Sequence, residues 1–223
     1  MSKISVNKLG EYIEANPTRR RRIVFDQKNP AAFIVTRYSR AKEIAIEYFI
    51  NNFDDEILIQ GIEELDNIES ESDFQENDIA NSLEFLVSLL EFEVFNFIDF
   101  DNIQISRYVG SNPKLNINNV EVSVNPDLIF SGTIRNRKVK GALKFHFSKT
   151  SSLNTESAKN IATLIHQFVE DNLIQDDENA DIKFCLSLDV FAGICESAPR
   201  SYMRRRDNIR FACTEIDLWW DNL

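Results

Sequence analysis

The hydrophobic pattern changes its period once, near Asp99, and that change limits the possible folds more than any other feature. Before it, apolar residues recur at helical spacing. Phe33, Ile34, Tyr38, Ala41, Ile44, Ala45, Tyr48 and Phe49 do so within 32–53, and Ile79, Leu83, Phe85, Leu86, Leu89, Leu90, Phe92 and Val94 within 79–98. After it, residues 115–124 alternate apolar and polar, and so do 127–131 and 139–148. A helical period resumes over 154–173, followed by an apolar run at 182–195 and a last helical stretch at 206–219. The pattern predicts an α/β protein. A central sheet contains strands near 102–108, 115–131, 137–148 and 182–195, with helices 79–98 and 154–173 packed on it. Short helices are expected at 5–15, from Thr18 to Phe25, and at 55–66. The polar run 67–78 reads as an exposed connection. The expected division is a helical N-terminal region, 1–78, and an α/β core, 79–223.

Composition supports a folded chain. Of 223 residues, 43% are hydrophobic and 17 are Phe, while Gly and Pro number only 6 and 5, which argues against disorder. The first 22 residues contain no apolar signal region, and no window approaches a membrane span. A cytoplasmic protein without a membrane partner is expected. Cys185, Cys195 and Cys213 are odd in number, far apart and outside any CxxC pair, so reduced buried thiols are expected rather than zinc ligands.

The net charge of −11 hides three regimes. Residues 1–42 carry ten Lys/Arg against three Asp/Glu; residues 43–106 carry 18 Asp/Glu and no Lys or Arg; residues 107–223 carry 15 of each. The acidity belongs to one segment and leaves room for a basic groove elsewhere. Two clusters are candidates to hold a phosphate backbone, with a solvated face as the plain alternative. One is Arg19 to Arg22, some of which would otherwise pair with the acidic segment. The other is Arg204, Arg205 and Arg206 at the start of the last helix.

The residues from Asp127 to Lys144 carry the chemistry. Phosphodiester cleavage by a hard divalent cation needs carboxylates to hold the ion and lower the pKa of the attacking water. A nearby Lys stabilises developing charge. Asp127 stands in an otherwise apolar strand, and Lys144 in the next, between Leu143 and Phe145 that must point the other way. Alternation puts Lys140, Ala142, Lys144 and His146 on one face. A buried structural ion pair between Asp127 and Lys144 is the alternative reading of the same residues.

Pro126-Asp127, the polar turn and Ala142-Leu143-Lys144 resemble the metal-site hairpin of the PD-(D/E)XK nuclease superfamily, which includes restriction endonucleases and RecB-type exonucleases. The resemblance spans roughly 79–195, in the order helix, three strands, helix, strand. Pro126-Asp127 matches the PD half. Ala142 stands where the second acid is expected. Gln167 matches the Gln of the QxxxY element of RecB-type members, with Asp171 in the Tyr position.

The resemblance implies a restriction-endonuclease-like mixed sheet flanked by helices. It implies a nuclease, active on DNA before RNA, with a role in bacterial or phage defence. Asp127 would bind Mg²⁺ or Mn²⁺, Lys144 would be the catalytic lysine, and Gln167 would orient substrate or water. The missing ligand would come from Glu121, which shares strand parity with Asp127, or from Glu91 on the preceding helix. Glu84, Glu93 and His146 are further candidates. If Ala142 instead marks a dead site, the chain is a nuclease-fold interaction subunit whose acidic helical region docks a protein partner, with a homo-oligomer as the other expected assembly. An acidic mimic of DNA is the third reading.

Overall fold

A computed structural model describes residues 1–30, 38–92, 98–111 and 113–223. The fold is mixed α/β, with seven helices, a three-stranded sheet and a five-stranded sheet among those residues. The helical N-terminal region contains α1 (Val6–Glu14), α2 (Pro17–Lys28), α3 (Ser39–Ile50) and α4 (Asp55–Asp66), preceded by a short strand, β1 (Ser2–Ser5). Side-chain caps start three of these helices: Ser5 accepts from Lys8 N, Asn16 from Arg19 N and Asp54 from Glu56 N. The second helix therefore opens at Asn16, with Pro17 in its first turn, ahead of the expected Thr18.

The next helix, α5 (Asp73–Glu91), is capped by Ser72 and begins inside the stretch expected to be a connection. Its first turn carries Asp73 and Glu76, which suit the positive end of the helix dipole. The expected continuation through Glu93 and Val94, like Phe33 and Ile34 in the earlier helical pattern, lies outside the described residues.

The five-stranded sheet has the order β2 (Ile103–Arg107), β5 (Leu128–Ile134), β6 (Arg137–Phe145), β7 (Glu178–Asp189), β8 (Ile194–Ser197). The first three strands form an antiparallel meander. Helix α6 (Thr155–Asn172) then crosses over and delivers β7 parallel to β6. Within this sheet the order is the expected helix, three strands, helix and strand, although two further strands intervene in the chain between β2 and β5. Residues 115–124 depart from expectation. They form a separate hairpin, β3 (Lys114–Ile117) and β4 (Val120–Ser123), and β4 pairs in parallel with β1. Asn118 and Asn119 make the turn at φ 45° and 66°, a left-handed pair that Asn tolerates well.

Strand alternation feeds two cores, one on each face of the large sheet. Leu128, Phe130, Leu143, Phe145, Leu186 and Leu188 pack with Phe49, Leu58 and Phe85 of the α3–α5 layer. Ala142 and Cys185 pack instead with Ile161, Ile165 and Phe168 of α6, and with α1 and α7 (Tyr202–Trp220). Residues before 79 thus contribute to both cores.

The strands β6 and β7 are out of register at one place, where residues 181–184 stand against Gly141 alone. A Cβ on Gly141 would lie 2.2 Å from the Phe184 carbonyl oxygen, so only glycine permits the bulge. Among the described residues, no helix is long and apolar enough to cross a membrane.

The three cysteines are free, and burial pushes the Cys195 and Cys213 thiols up to about 12 and the Cys185 thiol higher still. Iodoacetamide at pH 8 is therefore expected to alkylate native protein on the order of a thousandfold more slowly than unfolded protein. Mass spectrometry of timed samples checks this, and rapid labelling of all three thiols would refute it.

Candidate functional site

Asp127 sits one residue before β5, and its backbone N–H donates to the Leu143 carbonyl of β6 at 2.8 Å. The side chain is fully buried. One oxygen, Oδ2, accepts from the Phe145 backbone N–H at 2.8 Å and lies 3.2 Å from Lys144 Nζ. The other, Oδ1, lies 2.5 Å from Lys42 Nζ of α3 and 3.3 Å from Lys144 Nζ. Lys144 Nζ also donates to the Asn125 carbonyl at 2.7 Å. The hairpin thus brings Asp127 and Lys144 together, and a second ammonium group joins them from the helical region.

The charges are unequal in exposure. The Lys144 side chain is 15% exposed and that of Lys42 31%. Burial holds the Lys144 pKa below its ordinary value, against the opposing pull of Asp127. With one carboxylate facing two cations, the cluster is electrostatically complete and carries a net positive charge.

The other expected metal ligands stand elsewhere. Glu121 lies in the small sheet, where Lys114 Nζ binds it at 2.6 Å and Lys3 Nζ approaches to 3.8 Å. Glu91 ends α5, exposed and without an ion pair among the described residues. Glu84 is bound by Lys149. Gln167 is half-buried on α6 and reaches only Asp171, at 3.5 Å. Among the described residues, no group of three His, Cys, Asp or Glu side chains is placed to hold a metal ion. Mg²⁺ and Mn²⁺ require several anionic or neutral oxygens in a near-octahedral shell. Among the described residues no cluster of carboxylates surrounds Asp127, and an ammonium group occupies the approach to Oδ1. The described residues do not fit such an ion.

A row of polar side chains continues from Lys144 across the sheet. Lys144 pairs in register with Ser187 of β7, and Ser187 with Glu196 of β8, so all three share one face. Ser187 is fully buried and its hydroxyl has no hydrogen-bond partner among the described residues.

Next to the row, His146 is buried, with Nε2 2.7 Å from the Ser151 carbonyl oxygen and 3.9 Å from Asp189 Oδ2. Desolvation lowers its pKa, which favours the neutral ring, although the Asp189 carboxylate pulls the other way. Asp189 itself accepts from the Leu153 and Ala192 backbone N–H groups at 2.9 and 3.1 Å. Its position thus tethers the chain segments on either side of α6 and β7.

The arginine clusters are largely neutralised within the molecule. Arg19 Nε donates to Glu11 Oε1 at 2.6 Å. Arg20 spends its guanidinium on the Tyr12 and Ile13 carbonyls, at 3.0 and 2.7 Å, and on Glu215 at 3.3 Å. Arg22 pairs with Asp26. These partners are not in the 43–106 segment expected to attract them. Arg205 binds Glu156 and Asn160, and the buried Arg206 binds Glu170 and His166, at 2.5 and 2.8 Å. Of the seven arginines in the two clusters, Arg21 and Arg204 are without an ion pair among the described residues.

Sequence reasoning did not find the cations that remain free at the far end of the hairpin. Among the described residues Arg135, Arg137 and Lys183 make no ion pair, and they line adjoining clefts with Ile134 and Asp181. The β7 bulge places Lys183 there, and no local pattern announces it. Lys42, 85 residues before Asp127, was missed for the same reason.

No protein-family model matches the chain, and no curated protein sequence matches it either.

Proposed function

We propose that the chain is a non-catalytic interaction protein built on a nuclease-type sheet, acting in the cytoplasm and docking a basic protein segment on its acidic helical layer. The observation that carries the reading is the state of Asp127. Both its oxygens are engaged by two lysines and a backbone N–H, and among the described residues no group of carboxylates is gathered around it to hold a metal. A metal site needs the opposite: an excess of anionic oxygen turned toward open space.

The acidic layer supplies the docking chemistry. Glu56, Glu63, Glu64, Asp66, Glu69, Glu71 and Glu76 are exposed and have no ion pair among the described residues. A cavity of about 550 Å³ opens beside them, between α3 and α4, lined by Ser39, Arg40, Glu43, Ile44, Glu64, Leu65 and Ile68, with Glu43 held by Arg107 and Glu64 unpaired among the described residues. Carboxylates around an apolar floor suit a segment that alternates Lys or Arg with aliphatic residues.

The convergence of Asp127 and Lys144 across adjacent strands favours the second reading, a nuclease active on DNA or RNA. That reading requires Lys42 to leave Oδ1 and a further carboxylate to reach the site.

The two readings part in one experiment. With 10 mM Mg²⁺ or Mn²⁺, the interaction reading expects no cleavage of plasmid, single-stranded DNA or RNA and no metal-dependent rise in melting temperature. A Lys- and Leu-rich peptide should bind in low salt, weaken as salt rises, and lose at least about tenfold in affinity when Glu63 and Glu64 are changed to Lys. Metal-dependent cleavage that Asp127→Asn abolishes would overturn the interaction reading in favour of the nuclease.

A further inference from the structure

Helix α7 is amphipathic twice over. One side, through Arg206, Ile209, Cys213 and Ile216, is buried against the body of the protein. The other side carries Met203, Phe211 and Leu218, exposed by 56%, 74% and 66%. No other helix displays three large apolar side chains so openly among the described residues. They are not scattered. Arg204, Asp207, Phe211, Thr214, Leu218 and Asp221 succeed one another at alternating spacings of three and four, the repeat that lines one seam of a packed helix pair. A lone exposed Leu needs no explanation, but an aromatic-centred seam on a 19-residue helix does.

The charge on the seam indicates what covers it. Its N-terminal end has Arg204, with Arg200 just ahead of the helix, and neither makes an ion pair among the described residues, whereas Asp207 on the same seam is already neutralised by Arg210. Its C-terminal end has Asp221, which is likewise unpaired. Phe211 stands close to the midpoint between Arg204 and Asp221, and close to that between Met203 and Leu218. A pattern that is basic at one end, acidic at the other and aromatic in the middle complements itself when reversed. Such self-complementarity is what a two-fold interface demands.

We propose that α7 is a homodimerisation helix, pairing antiparallel with α7 of a second copy about a two-fold axis near Phe211. Each Arg204 then faces the other copy's Asp221, each Met203 lies near the other's Leu218, and the two Phe211 rings meet at the axis. An acidic or basic foreign partner matches only one end of the seam, whereas a second copy matches both. The proposal is independent of the state of Asp127.

The full-length chain tests it. Sedimentation equilibrium at micromolar concentration should give 51.6 kDa, twice the 25.8 kDa of one chain. Phe211→Glu, on an exposed position, should keep the parent melting curve yet weaken self-association by about 30-fold or more, as loss of a central aromatic anchor does. Arg204→Glu and Asp221→Arg should each weaken the dimer, and the two together should restore it. With dissolved oxygen and a copper catalyst as oxidant, two copies of Phe211→Cys should each give up a thiol hydrogen and join as a disulfide-linked dimer. Met203→Cys should crosslink to Leu218→Cys in a mixture but not to itself. A monomer up to 200 µM would overturn the proposal. So would a dimer unaffected by Phe211→Glu, or crosslinking of Met203→Cys to itself, which requires parallel helices.

Discussion

Asp127→Asn is expected to lower the stability of the protein by roughly 3–5 kcal/mol, because it leaves a buried ammonium group without its counter-charge. The burden falls on Lys144. Its side chain is only 15% exposed, and its remaining acceptor is the Asn125 carbonyl. Lys42 is twice as exposed and is free to turn toward water, so Lys42→Ala should cost under about 1 kcal/mol. For a chain of this size the Asp127→Asn loss corresponds to a melting temperature lower by about 10 °C. Adding Lys144→Met should recover much of it, since the double change removes both charges and leaves an aliphatic chain of similar length. Chemical denaturation of the parent, Asp127→Asn, Lys144→Met and the double variant checks the coupling. If Asp127→Asn melts with the parent protein, the pair is not structural.

Phe85→Ala is expected to cost a further class of energy, about 3–5 kcal/mol of lost burial and cavity formation. Phe85 is fully buried on α5, and its ring centroid lies 4.5 Å from that of Phe147, 5.7 Å from Phe191 and 6.2 Å from Phe145. Phe145 in turn meets Phe49 of α3 at 5.6 Å. The rings therefore hold two helices on the sheet, and a hole at Phe85 loosens both contacts. No second substitution on the polar face should rescue it, unlike the Asp127 case. Phe85→Leu, which keeps most of the volume, should cost well under half as much. Equal losses for Phe85→Ala and Phe85→Leu in urea titrations would show that packing at Phe85 is not what matters.

The large sheet was legible in the sequence because its strands alternate and its crossover helix is strongly periodic. Lys144 falling between Leu143 and Phe145, with Asp127 at the head of the preceding apolar run, was enough to bring the two to the same end of the hairpin, although Asp127 stands one residue ahead of its strand. The small sheet was not legible, although a signal existed. Asn118-Asn119 interrupts the alternation at 115–124 with two residues suited to left-handed backbone, and that marks a hairpin rather than one long strand. The strand Ser2–Ser5 is too short to show a period at all.

The candidate site was half legible. Pairing across the hairpin follows from local alternation, whereas Lys42 comes from a helix whose docking depends on aromatic packing with the sheet. The partners of Arg19, Arg20, Arg205 and Arg206 are likewise set by helix packing, which charge counts along a chain do not reveal.

The pairing of Ser2–Ser5 with Val120–Ser123 has a consequence for synthesis. The first strand leaves the ribosome long before its partner exists. At translation rates of roughly 5–20 residues per second, Ser2 waits on the order of ten seconds for Val120 to emerge. During that interval Ile4, Val6 and Leu9, all buried in the finished protein, have no strand to lie against. The amino-terminal segment is thus a late guest in its own core. It is made well before its partner strand, is exposed to chaperones and proteases meanwhile, and is fixed in place only after Val120–Ser123 arrives.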